Sequence, residues 1–241
     1  MKKTLLTAVI ALTGLAAFTT AHAQQFTQTN ATYGDLILGF ETTGGGGSTN
    51  LLVDLGSVTN TAQLVSLNIN LSSDLVTAFG TNWASTVSYG LYSVTSGKEI
   101  FASGPTTQTQ GYALESSSGA GIQKTDFANF YGVFNNNGLV ADTTAHGVLE
   151  STATTYSWTY YTPNNGAFQN ANYANIEVPV GSTADLFAQV TGSSGNGVNT
   201  GLAFTVNGSG NLSAVPEPST YLLFGFGALL LSIAYRRKAN S

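Results

Sequence analysis

Between residues 24 and 214 the chain is built from apolar runs only four to eight residues long. Each is cut off by Gly, Ser, Thr, Asn or Asp. A run that short crosses a sheet once but makes barely two turns of helix, so this pattern confines the region to β-structure. Strands are expected over 34–40 (GDLILGF), 51–55, 64–71, 86–94, 98–102, 147–150, 154–161, 174–180, 184–191, 202–206 and 211–214. In 64–71 the alternation is strict, with Val65, Leu67, Ile69 and Leu71 on one face. Asn207-Gly208-Ser209-Gly210 supplies the turn of a final hairpin, and the glycine run 44–47 and the polar stretch 192–199 are loops. Two short helices interrupt the pattern. One follows Ser72-Ser73-Asp74, with Leu75, Val76, Ala78 and Phe79 as its apolar face and Gly80 as its stop; the other spans 126–133 and ends at Asn135-Asn136-Asn137-Gly138. No repeat of fixed period is present. The expected fold is mainly β, a single antiparallel β-sandwich-like domain with one or two short helices.

Charge excludes whole classes of partner. From 24 to 214 the only basic residues are Lys98 and Lys124, against eleven acids, a net charge of −9. Nucleic acid is therefore not a partner, because that affinity comes from neutralising phosphates with Lys and Arg. An anionic membrane surface is disfavoured for the same reason. The chain has no cysteine, so disulfides, thiol catalysis and thiolate metal sites are absent and the core must hold the domain.

The two ends differ from the middle. Lys2-Lys3, an apolar stretch over 5–18 and Ala21-His22-Ala23 before Gln24 have the order of a secretory leader. Cleavage after Ala23 is expected, with the mature chain outside the cytoplasm. At the other end Val215-Pro216-Glu217-Pro218-Ser219 precede an uncharged run over 221–235, followed at once by Arg236-Arg237-Lys238. As a helix this run is roughly 22 Å long, short of the roughly 30 Å hydrocarbon core. The three cations place its far end in the cytoplasm. The expected organisation is a leader at 1–23, a domain at 24–214 and a membrane-directed segment at 215–241 that adds nothing to the domain's fold.

Val215-Pro216-Glu217-Pro218-Ser219-Thr220, the short apolar run with Gly225 and Gly227, and Tyr235-Arg236-Arg237-Lys238 together resemble a PEP-CTERM sorting domain. The resemblance implies recognition by an exosortase, a membrane enzyme with a catalytic cysteine that cuts near the Pro-Glu-Pro motif. It also implies transient residence in the inner membrane and a Gram-negative host that makes exopolysaccharide. A second resemblance runs through Gly34-Asp35-Leu36-Ile37-Leu38-Gly39-Phe40, Leu52-Val53-Asp54-Leu55-Gly56 and Asp74-Leu75 to Phe79-Gly80-Thr81-Asn82-Trp83. These strings are similar to a recurring group of secreted PEP-CTERM proteins, a group that carries no assigned activity over to this chain.

Candidate chemistry is sparse. His146 is the only histidine between 24 and 214, with Asp142 four residues before it. A Ser-His-Asp arrangement needs a nucleophile elbow, and no G-x-S-x-G occurs. A surface-loop histidine is the ordinary alternative. Two of Glu41, Glu99, Glu115, Glu150 and Glu177 would suffice for glycoside hydrolysis, but sequence does not pair them. No two acids lie within three residues of one another, so a continuous calcium loop is absent, and no cofactor is expected. The glycine run lacks the Lys and the flanking elements of a phosphate cradle. Tyr156, Trp158 and Tyr160 alternate in one expected strand; such a row either stacks on sugar rings or fills a core. The functional expectation is a secreted, non-enzymatic surface or matrix protein associated with exopolysaccharide, with a carbohydrate-binding module and a glycan-active hydrolase as the alternatives.

Overall fold

The computed structural model describes residues 31–43, 47–96, 99–107, 140–151, 158, 176–189 and 197–216. In chain order these form β1 (Asp35–Thr42), β2 (Thr49–Ser57), α1 (Thr61–Val65), β3 (Asn68–Asn70), α2 (Ser72–Phe79), α3 (Trp83–Thr86), β4 (Val87–Val94), β5 (Ile100–Pro105), β6 (Val140–Thr143), β7 (Val148–Ser151), β8 (Glu177–Pro179), β9 (Thr183–Gln189), β10 (Val198–Val206) and β11 (Asn211–Pro216).

The strands make one antiparallel sheet in the order β3-β11-β10-β9-β5-β4-β1-β2-β7-β6. β5 and β8 share one edge of β4: β5 pairs with Tyr92 to Val94 and β8 with Ser88 to Gly90. Where one gives way to the other, the Ser103 hydroxyl accepts from Leu91 N at 2.7 Å and donates to the Ile176 carbonyl at 2.5 Å. The side chain thereby fills a gap in the ladder that would otherwise leave two buried backbone groups unpaired.

The sheet curls on itself. β4 and β10 stand three strands apart in the order, about 14 Å on a flat sheet. The Tyr89 phenol oxygen nevertheless lies 3.0 Å from the Phe204 carbonyl and 2.6 Å from that of Ser182. Inside the curl lie Leu36, Leu38 and Phe40 of β1, Leu51, Val53 and Leu55 of β2, Tyr89 and Leu91 of β4, and Leu202, Phe204 and Val206 of β10. Each fully buried Leu, Val or Phe side chain contributes about 2 kcal/mol. Leu64, Leu75 and Trp83 close this cluster from the three helices.

The expected strand at 64–71 is corrected: Leu64 and Val65 close α1, and only Asn68–Asn70 is extended. The cause is a reciprocal cap, in which Asn60 Oδ1 accepts from Gln63 N and Asn60 Nδ2 donates to Gln63 Oε1. The helix from 72 to 79 stops as expected at Gly80, whose φ is +77°. β6 and α3 were not expected. The helix at 126–133 lies outside the described residues, as does the strand at 154–161 apart from Trp158, which is helical rather than extended. The described strands form one continuous curled sheet rather than two separate packed sheets.

Candidate functional site

Strands β1, β2, β4 and β7 are buried on both faces, and the face turned away from the main core carries the polar chemistry. Cross-strand register lines up Leu52, Gly39, Gly90 and Glu177 in one row. The neighbouring row holds Glu150 opposite Asn50 and Glu41 opposite Ser88. The indole of Trp158 lies on the Gly39–Gly90 pair. A Cβ added at Gly39 would come within 2.1 Å of the ring, and one at Gly90 within 3.2 Å, so two facing glycines make the seat of one large aromatic.

Two acids hold that residue, one at its backbone N–H and one at its ring. Trp158 N donates to Glu150 Oε2 at 2.9 Å, and Trp158 Nε1 donates to Glu177 Oε1 at 2.5 Å. Glu41, 1 % exposed, has no donor on either carboxyl oxygen and faces Glu177, and Glu150 Oε1 is likewise unpartnered. Burial pushes the Glu150 carboxyl up to about 8, against the bonds from Trp158 and Asn50. Burial also pushes Glu177 well above the usual carboxylate range, with the adjacent Glu41 opposing its ionisation further. Asp54, on the same face of β2, is raised to about 6 by burial, a shift that the bond from Gly56 N reduces and Asp35 adds to. The described residues hold no Lys or Arg, and Lys98 and Lys124 lie outside them. The raised Glu177 carboxyl favours its protonated form, and a neutral Glu177 is able to donate to Glu41.

Of the five candidate glutamates the fold therefore brings three, Glu41, Glu150 and Glu177, to the Trp158 layer, the first two buried and Glu177 half-buried. Glu99 sits in the β4–β5 turn, where its N–H donates to Thr95 Oγ1, and Glu115 lies outside the described residues. Trp158 is 2 % exposed and takes the core alternative; Tyr156 and Tyr160 lie outside the described residues. Among the described residues, no three His, Asp or Glu side chains converge on a possible metal position.

His146 pairs with Asp74 rather than Asp142. Its Nδ1 lies 2.9 Å from Asp74 Oδ2, and its backbone N–H donates to Oδ1 at 3.0 Å. Asp142 stands on β6 opposite Leu149. Burial would raise the Asp74 carboxyl, but the bonds from Thr144 and His146 outweigh it and hold it below its ordinary value. The two-point grip ties the first turn of α2 to the β6–β7 turn, and Asp74 is fully buried. It is a structural clasp whose partners are 72 residues apart.

The third feature is the end of the sheet. β11 pairs with β10 through Phe204↔Ala214, Ala203↔Val215 and Leu202↔Pro216. Ala214 belongs to the core and Val215 is 43 % exposed. The domain boundary expected between 214 and 215 thus falls inside a strand. Residues 214–238 match the family model of the PEP-CTERM protein-sorting motif. The chain carries a PEP-CTERM sorting signal. Such a signal marks an exported protein that is membrane-anchored before an exosortase processes it. Its first three residues, Ala214 to Pro216, are strand residues of the domain, while Glu217, Pro218, Ser219 and the basic Arg236, Arg237 and Lys238 lie outside the described residues, as do Ala21, Ala23 and Gln24 of the expected leader. Among the described residues no helix is long and apolar enough to cross a membrane; the run over 221–235 is not among them. Neither a curated protein nor a solved structure matches the chain.

Proposed function

We propose that this chain is a non-enzymatic cargo protein of the PEP-CTERM system. In this reading an N-terminal leader cut after Ala23 exports it, the 221–235 segment holds it in the inner membrane of a Gram-negative cell, and exosortase releases its β-domain to the surface or matrix, in association with exopolysaccharide. The observation that carries the reading is the matched signal at 214–238, with motif, apolar run and basic residues in order. What supports the absence of catalysis is the burial of the clustered glutamates: Glu41 and Glu150 are 1 % and 0 % exposed, whereas a hydrolytic pair must flank a glycosidic bond in an open cleft. The glycan-binding alternative rests on Tyr156 and Tyr160 alone, since Trp158 is committed to its glycine seat.

Mass spectrometry of the mature protein tests the reading. The expected N-terminus is Gln24, and the expected C-terminus lies near the Pro-Glu-Pro motif. A mature pool ending at Ser241 would show the tail to be a permanent anchor. Retention on the host's own exopolysaccharide tests the association, and unretarded passage removes it from the proposal.

A further inference from the structure

The sorting signal and the folded domain overlap, and the overlap has a chemical consequence. An enzyme that cleaves a peptide bond needs the residues around that bond free to lie in its own site. Val215 and Pro216 are not free: they are the last rungs of the β10–β11 hairpin, in register with Ala203 and Leu202. The strand just before them is anchored in the core by Leu212 and Ala214, 0 % and 6 % exposed. On the other edge β3 pairs only with Asn211 to Ser213, so at Ala214 to Pro216 that edge carries no strand among the described residues. The start of the signal thus has one edge bound and, among the described residues, no strand on the other. Pro216 has no N–H to extend the ladder, and Glu217 follows it with no intervening spacer. From Pro216 to Tyr221 an extended chain spans at most about 17 Å, so the end of the sheet stands close to the membrane if the run over 221–235 is inserted.

Resting on the reading that exosortase processes this chain, we propose that strand β11 sets the upstream limit of the processing site. Val215 and Pro216 stay in the product, and the bond that is cut is Pro216–Glu217 or one beyond it. The folded domain protects its own final strand while the motif continuing from it is cut. Peptide-bond cleavage here transfers the acyl group at the new C-terminus to the enzyme's cysteine, displacing the amine of the downstream fragment. Water or an acceptor nucleophile then takes the acyl group and restores the thiol.

The test is the C-terminus of the mature protein, read by intact-mass spectrometry from the full chain in its exosortase-bearing host. Wild type is compared with Leu202→Gly and Ala203→Pro, which weaken the β10 side of the hairpin end and leave residues 214–238 unchanged. The wild type is expected to give a product ending at Pro216 or later. Both variants are expected to add species ending at 213–215, rising at least tenfold from the wild-type level. If Ala203→Pro does not accumulate, Leu202→Gly, which keeps every backbone N–H, carries the comparison. A wild-type product ending before Pro216 overturns the proposal, and so do variants whose ends coincide with the wild type's. Chains ending at Ser241 in all three overturn the processing reading itself, an outcome distinct from a misplaced cut.

Discussion

Replacing Glu150 with Gln isolates the cost of burying acids in a domain that has almost no cations. Gln keeps a carbonyl oxygen for Trp158 N, which Glu150 Oε2 now accepts at 2.9 Å, but it cannot ionise. The Glu150 carboxyl moves from an ordinary value of 4.5 to about 8 on folding. Because the folded-state value is the higher one, the folded chain holds a proton that the unfolded chain has released at any pH between the two. Stability is then fully present below about 4.5, falls as pH rises and levels off above about 8. At about 1.4 kcal/mol per unit the full effect is on the order of 5 kcal/mol, of which about 3.5 kcal/mol disappears between pH 5 and pH 8. That is a large share of the 5–15 kcal/mol typical of a domain. Glu177 and Asp54, also raised by burial, act in the same direction and are common to both proteins. The assay is urea unfolding of the purified mature protein at pH 5, 6, 7 and 8, followed by tryptophan fluorescence. Glu150→Gln should gain on the wild type by about 3.5 kcal/mol across that range. A wild-type-minus-variant difference that does not change with pH would refute the reasoning, because it would mean that Glu150 ionises in the folded protein as readily as in the unfolded one.

Three further outcomes follow from the same geometry. Gly39→Ala places a methyl group 2.1 Å from the Trp158 ring, so it should expel the indole and cost about 3 kcal/mol, seen as a lower urea midpoint and a red-shifted emission. Glu177→Gln provides an amide donor for Glu41 while keeping an acceptor for Trp158 Nε1. It should therefore stabilise the protein at pH 8 and leave it nearly unchanged at pH 4, by the same unfolding assay. Asp74→Asn weakens the clasp on His146 and should cost about 2 kcal/mol at pH 6. Because the Asp74 carboxyl is held below its ordinary value of 3.8, its contribution is present above that pH and is lost as pH falls through the folded-state value, so wild type and variant should converge in acid.

Local signals carried much of the architecture. The runs around Leu36–Leu38, Leu51–Val53 and Leu202–Val206 are strands because each is a short apolar stretch, unbroken in the first two, that ends near turn formers. The helix from 72 to 79 stops where Gly80 relieves a positive φ. The misassignment at 64–71 came from weighing alternation above capping: Asn60 and Gln63, three apart, were a readable helix start. β6 escaped because Val140–Thr143 has one strongly apolar residue, and its pairing comes from β7 rather than its own pattern. Nothing within a window of the sequence could place Asp74 against His146 or Glu41 against Glu177, because those meetings depend on register between distant strands and loops.

The acidic composition and the buried cluster are nevertheless one problem. A domain with eleven acids and two lysines can keep its carboxylates solvated, bind cations from outside, or protonate the acids it buries. Here the acids are built into the sheet at positions where small residues leave room: Glu177 beside Gly90, Glu41 beside Ser88 and Glu150 beside Asn50. Trp158 then closes the layer with two N–H donors, and with the bond from Asn50 to Glu150 these are, among the described residues, too few to support three ionised carboxyls. The layer therefore keeps protons, and the stability of the domain is tied to the acidity of its surroundings. For a protein expected outside the cytoplasm, where no cell buffers the pH, the buried layer weakens the fold towards alkaline pH, in the same direction as repulsion among its ionised surface carboxylates, while the Asp74 clasp is lost in stronger acid.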